Sequence, residues 1–275
     1  MDNVAKLRYK WIFVVLTYRE TKDLPELLES IGRDVKDYKV IVVNSYFDEP
    51  TRDAIKEIAE SNDCDFLNFP NKGYSFGNNR GIEHALKNYE FEWLAVANPD
   101  TILKVFDEKA FENAGCAVVA PEIKNLRGKA QNPMRKSNSG LSQYLIYKGC
   151  KNDNGILLRC GTLWGHIVNM LTPLKKYSAN PQLKEIAVAH GSFVFISKSA
   201  LLKIGLPYDE NMFLFAEEAV LSQRMKGVGK VLYTKAIKVL HKEDGSMKFE
   251  KSAINKNLAN ANVYYYETYV KGVNE

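Results

Sequence analysis

An α/β fold on a mostly parallel, Rossmann-like sheet is what this sequence predicts. Three observations carry the expectation. Continuous apolar runs alternate with segments of helical spacing through the first 123 residues. Turn-forming residues separate them. The polar residues Thr17, Asn44 and Asp100 sit at the carboxyl ends of runs, where sheets of this class bind ligands.

The elements follow in order. "WIFVVLT" (11–17) and "YKVIVVN" (38–44) are apolar throughout, as strands buried on both faces require. Between them "LPELLESIG" (24–32) has helical spacing and a glycine stop. "EPTRDAIKEIAES" (49–61) begins a helix with proline, and "DFLNFP" (65–70) is a strand closed by Pro70. "NNRGIEHALKNY" (78–89) is a helix entered through the glycine-rich "NKGYSFG". "EWLAVAN" (92–98) and "AGCAVVAPEI" (114–123) are further strands, with a helix expected near 106–113. Residues 124–155, rich in Asn, Ser, Gly and Lys, read as loop. The apolar stretch 155–177 with basic ends reads as helices or an interfacial patch. "IAVAHGSFVFIS" (186–197) and "KVLYTKAIKVLH" (230–241) read as strands, "EEAVLSQRMKGVG" (217–229) as a helix, and the tyrosine-rich 246–270 as a C-terminal helix. No linker interrupts the pattern. One domain over 1–275 is expected, with a regularly alternating half at 11–123 and a more variable half at 124–275.

Composition narrows the function classes. Hydrophobic residues make up 45% of 275, enough for a large core, and 26% charged residues suit a soluble protein. No run approaches a membrane span of about 20 apolar residues. The first ten residues lack the apolar region of a signal peptide, and the four cysteines form no CxxC pair. A cytoplasmic, reduced protein is the expectation. The net charge of +5 is mild. It does not suggest nucleic-acid binding, and it permits contact with an anionic lipid surface or a phosphorylated ligand.

Few residues invite chemistry. Asp100 follows Asn98 and Pro99 at the tip of a core strand. It reads either as a turn or cap residue, or as a carboxylate for a divalent cation on a diphosphate. Glu217 and Glu218 open a helix, where acids suit the dipole and where a general base could also stand. His241 ends an apolar strand. The loop 71–81 is neither a dinucleotide fingerprint nor a phosphate-binding Walker loop, which argues against a cofactor-dependent oxidoreductase.

The blocks "LTY", "VVN", "NKGYSFGNNRGI", "NPD", "GSFVFISKSAL", "MFLFAEE....QR" and "LH..DGS", in this order, resemble the family 2 glycosyltransferases, in particular the rhamnosyltransferase-like branch of bacterial polysaccharide synthesis. The resemblance implies the GT-A fold, a UDP- or dTDP-linked sugar donor, a divalent metal (Mn²⁺ or Mg²⁺) and inversion at the anomeric carbon. It places Thr17, Tyr18, Asn44, Asn79 and Asn98 at the nucleotide, and Asp100 with His241 at the metal. Gly191 falls beneath the sugar pocket, Glu218 in the position of the catalytic base, and Glu217 beside it. The sequence departs from the pattern at Asn44 and Glu218, where the family usually has Asp, and at Val220, where a second acid often follows. These departures keep a second reading in view, a non-catalytic nucleotide-sugar-binding subunit supporting a partner enzyme. The implied acceptor is a glycan, often lipid-linked. The stretch 155–177 reads either as a peripheral membrane contact or as an ordinary buried helix pair, and Tyr264, Tyr265, Tyr266 and Tyr269 either pack the C-terminal helix or mediate a homodimer.

Overall fold

The computed structural model describes residues 6–19, 21–243 and 251–271. In chain order the elements are β1 (Leu7–Arg8), β2 (Trp11–Thr17), α1 (Leu24–Asp34), β3 (Tyr38–Tyr46), α2 (Glu49–Ser61), β4 (Asp65–Pro70), α3 (Tyr74–Asn88), β5 (Tyr89–Glu90), β6 (Trp93–Ala97) and β7 (Thr101–Val105). After a 3₁₀ turn (Glu108–Phe111) come β8 (Ala117–Asn125), α4 (Gly140–Lys151), α5 (Gly155–Leu171), β9 (Lys175–Lys176), β10 (Leu183–Glu185), β11 (Phe193–Ser197), α6 (Lys198–Ile204), α7 (Glu217–Arg224), β12 (Lys230–His241) and α8 (Lys251–Tyr265). A short π-helix (Tyr266–Lys271) follows α8.

Among the described residues ten strands form one sheet in the order β4-β3-β2-β6-β11-β8-β12-β10-β9, with β7 on β12. The first four are parallel, as the alternating pattern predicts. β11 then enters antiparallel between β6 and β8, and β12 lies parallel to β8. Strands from the second half of the chain are therefore laid into the sheet of the first.

Burial on both faces explains the apolar runs. Trp11, Phe13 and Val15 pack in one core cluster with Leu24, Leu27 and Ile31 of α1, and Ile12 and Val14 pack in the other with Ile82 and Ala85 of α3. Each buried Val, Leu, Ile or Phe among them contributes roughly 1.5–3 kcal/mol. The α1 apolar positions recur at helical spacing, and Pro25 sits in its first turn, where a missing N–H costs nothing. In α2 the Asp48 side chain caps the Thr51 N–H at 2.9 Å.

Three expectations need correction. Residues 124–155 are not all loop: Ser139 caps the Ser142 N–H, and Leu141, Leu145 and Ile146 fall at helical spacing within α4. The polar and glycine content hid that period. The helix expected near 106–113 is only a 3₁₀ turn, because the chain after Asp100 turns back to pair β7 with β12. The strand expected at 186–197 is confined to Phe193–Ser197. The helix expected at 246–270 is described from Lys251, and 246–250 lie outside the described residues.

Candidate active site

The chain stops laddering at Ala97 because Pro99 brings no N–H, and the turn is held by Thr101, whose N–H and hydroxyl both donate to the Asn98 carbonyl. That turn leaves Asp100 at the carboxyl edge of the sheet, only 4% exposed. β12 runs antiparallel to β7, with His241 opposite Thr101, so its last residue reaches the same edge. The His241 Nε2 lies 3.4 Å from Asp100 Oδ2.

A relay fixes the His241 ring. Gln131 Nε2 donates to the Glu243 carboxylate at 2.7 Å, which turns its Oε1 toward His241 Nδ1 at 2.8 Å. An amide oxygen only accepts, so His241 carries a proton on Nδ1, and in the neutral form of the ring Nε2 presents its lone pair toward Asp100. Asn125 Nδ2 holds the other Glu243 oxygen at 2.9 Å.

On the other side of the same cavity stands α7. Phe215 and Ala216, immediately before it, have φ of 77° and 66°. Non-glycine residues in this region are strained, a bulky one especially, and such strain tends to gather at working sites. The turn delivers two acids with different surroundings. Glu217 is buried and its Oε1 has no hydrogen-bond partner. Burial, aided by the neighbouring Glu218 charge, pushes its carboxyl up to about 8. Glu218 is half-buried, and its Oε1 accepts the Gly191 N–H at 3.3 Å. A Cβ at Gly191 would stand 2.9 Å from that oxygen, so glycine leaves the carboxylate its place.

A further histidine joins them. His190 Nδ1 accepts the Ser192 N–H at 3.2 Å, so the neutral ring carries its proton on Nε2. Burial lowers its pKa and keeps it neutral. Its ring centroid is 5.6 Å from that of His241. Tyr74, from the start of α3, donates to Asn98 Oδ1 and the Gly191 carbonyl, tying the two walls together.

The cavity encloses about 620 Å³ and is lined by Tyr18, Asn98, Asp100, Gly191, Glu217, Glu218 and His241 among the sequence-predicted residues. That volume suits a small-molecule ligand. Three predicted nucleotide residues stand elsewhere. Thr17 and Asn44 are fully buried one step behind the wall, between the lining residues Leu16, Tyr18 and Ser45. Thr17 Oγ1 donates to the Val43 carbonyl, and Asn44 Nδ2 donates to Asn68 Oδ1, leaving Asn44 Oδ1 without a partner. Asn79 is not on the wall: its Nδ2 donates to the Tyr208 carbonyl and to Glu210, pinning α3 to the 208–210 loop. Val220 is fully buried against Met212 and Tyr265, a place where an acid would have no partner. Sequence reasoning missed His190, Gln131, Glu243 and Tyr74. His190 precedes Gly191 in a block already singled out. Gln131 and Glu243 belong to segments whose pairing only the fold reveals.

A family model for glycosyl transferase family 2 matches residues 12–205. The chain belongs to that family. Agl10 of Haloferax volcanii, a low-salt glycan biosynthesis hexosyltransferase, is 25% identical to this family 2 chain over 234 residues, which are 82% of this chain and 66% of Agl10. Two solved structures share the fold. GalNAc-T7 with UDP, GalNAc and Mn²⁺ superposes with a TM-score of 0.62 at 12% identity, over 94% of this chain and 48% of its own. The mannosyltransferase PcManGT of Pyrobaculum calidifontis, in complex with GDP-Man and Mn²⁺, gives 0.53 at 13% identity, over 97% and 73%. The family 2 chain thus has the GT-A fold and spans about half the length of GalNAc-T7 and just under two thirds of Agl10.

Proposed function

We propose that this family 2 chain is an inverting, metal-dependent glycosyltransferase. It would move a sugar from a UDP- or dTDP-linked donor to a hydroxyl of a glycan acceptor in surface-polysaccharide synthesis. The observation that carries the reading is the convergence, on one cavity, of the buried Asp100–His241 pair with the half-buried, backbone-held Glu218.

The residues fit a divalent cation. Asp100 is a buried carboxylate 3.4 Å from His241 Nε2, and a cation between a carboxylate and a neutral imidazole nitrogen would satisfy both. Among the described residues no cluster of three His, Cys, Asp or Glu gathers there, so diphosphate and water oxygens would complete the shell. When bound, the metal supplies charge neutralisation on the departing diphosphate.

The chain's own residues do the rest. Glu218 takes the proton from the acceptor hydroxyl. The hydroxyl oxygen bonds to the anomeric carbon as the carbon–oxygen bond to phosphate breaks, and the nucleoside diphosphate leaves with the electron pair. The His190 Nε2–H offers a neutral donor to that anion. Glu217, held protonated below about pH 8, suits a hydrogen bond to a sugar hydroxyl rather than proton removal. Both halves line the cavity, which supports treating 1–275 as one transferase unit.

The test is a binding and turnover panel. UDP, dTDP and GDP are each titrated with and without Mn²⁺, and Glu218→Gln is assayed beside the parent. A Mn²⁺-dependent thermal shift with a pyrimidine diphosphate is expected, with binding kept and transfer lost in the variant. Absence of any nucleotide shift, or full transfer by Glu218→Gln, would sink the assignment.

A further inference from the structure

The α4–α5 hairpin is put together in a way that leaves its apolar residues unused. Its helices meet through small residues. A Cβ at Gly149 would come within 2.6 Å of the Leu158 backbone, one at Gly161 within 2.8 Å of the Ile146 nitrogen, and one at Gly165 within 2.7 Å of Ser142 Oγ. Ser142 Oγ donates to the Gly161 carbonyl at 2.7 Å. Because glycines and a serine form the crossing, the large side chains of α5 are turned outward. Ile156 is 75% exposed, Leu163 62%, Met170 73%, Leu171 72% and Trp164 42%. Among the buried residues of α5 only Gly161 is found. The sequence left open whether 155–177 is an ordinary buried helix pair, and among the described residues its outer face is uncovered.

Charge tells what would cover it. Residues 124–184 hold eleven lysines and arginines and a single acid, Asp153. The whole chain carries only +5, so the remainder is net acidic and the positive charge is concentrated in this region. Arg159, Lys175 and Lys176, exposed within or just beyond α5, form no ion pair among the described residues. A protein partner for an apolar helix would need only the apolar half of this surface. An anionic bilayer uses both halves at once: apolar side chains enter the acyl boundary while the bases meet the headgroups. Trp164 has the amphipathic ring that favours that boundary. The 17 residues of α5 extend about 25 Å, and among the described residues no helix is long and apolar enough to cross a membrane.

We propose that α5 lies flat on an anionic lipid surface and docks the protein there. The geometry couples that surface to the cavity. Lys136 N–H donates to Asn169 Oδ1 of α5, Ser137 bonds Thr172, and five residues before Lys136 stands Gln131 of the cavity wall. An amphiphilic acceptor, with its sugar above the bilayer, would meet the cavity from that side. This last clause rests on the transfer reading; the docking itself does not.

Co-sedimentation of the full chain with phosphatidylcholine vesicles and with phosphatidylcholine–phosphatidylglycerol vesicles tests it, without nucleotide or acceptor. Trp11 and Trp93 are buried, so a blue shift and acrylamide protection on binding report Trp164. Binding to the anionic vesicles with that shift is expected. Leu163→Gln with Leu171→Gln should weaken it about tenfold or more. Lys175→Gln with Lys176→Gln should weaken it about fivefold per base. All four sites are exposed, so the fold is kept. Three results would overturn the proposal: no binding to anionic vesicles; binding unchanged by the leucine variants; or self-association that the leucine variants abolish while vesicles are ignored, which would make a second copy the occupant. Loss of nucleotide binding in the parent with vesicle binding intact would instead strike the transfer reading alone.

Discussion

Replacing Glu217 by Gln should stabilise the protein and flatten its dependence on pH. The carboxyl is buried, carries an unpartnered oxygen and sits beside Glu218, and its pKa is pushed up to about 8 from an ordinary value near 4.5. The folded state therefore holds a proton that the unfolded chain has released between those two values. Its contribution to stability is fully present below about pH 4.5 and is lost as pH rises through 8. Each pH unit inside that window costs about 1.4 kcal/mol, so moving from pH 5 to pH 8 removes up to roughly 4 kcal/mol. Water entering the cavity beside Glu217 would reduce this. At about 2 °C per kcal/mol for a chain of this size, the parent should lose up to about 8 °C of Tm over that interval relative to Glu217→Gln. Scanning fluorimetry of both proteins from pH 5 to pH 9 reads the difference, in which titrating groups remote from Glu217 and Glu218 cancel. Parallel Tm curves would refute the burial argument.

Three other outcomes follow from the same geometry. Gln131→Leu removes the acceptor that fixes the His241 tautomer, and Mn²⁺ affinity measured by electron paramagnetic resonance should fall about 10- to 100-fold. Gly191→Ala places a methyl 2.9 Å from Glu218 Oε1, so kcat should fall while UDP affinity measured by calorimetry is kept. Asp209→Ala removes the shared acceptor of the Tyr264 and Tyr269 hydroxyls, and chemical denaturation should show a loss of about 2–3 kcal/mol.

Much of the fold was legible because its period is local. Strands buried on both faces need unbroken apolar runs, and β2, α2, β4 and β12 fall on the ranges read from sequence. α4 was not legible, since glycines that serve helix crossing look like loop. β7 was hidden because its partner, β12, lies more than a hundred residues away. At the site, the residues on short motifs were readable: Asp100 and Glu218 both reach the cavity. Asn79 was misplaced because a polar residue in a glycine-rich block can serve either a ligand or a neighbouring loop, and here it bonds the 208–210 loop. The relay through Gln131 and Glu243 depends on three separate segments meeting, which no local pattern encodes. The C-terminal tyrosines were read as packing or dimer residues. Tyr264 and Tyr269 bond Asp209, Tyr265 accepts from Gln223, and Tyr266 stacks on Tyr147 at 4.4 Å.

The antiparallel entry of β11 has a mechanical consequence. A two-lobed enzyme can close on its substrate by swinging one lobe against the other around a linker. Here β11 is stitched by backbone bonds to β6 of the first half and β8 beside it, so the two sides of the cavity share one hydrogen-bonded sheet. The turn before α7, which lines the cavity through Phe213, Leu214 and Phe215, lies outside that shared sheet. Dividing the chain after Asn125 would also take β11 from one edge of β6 and both β11 and β12 from β8, baring apolar strand edges, which are prone to pair with other chains. The two halves of the chain are thus joined in the sheet itself.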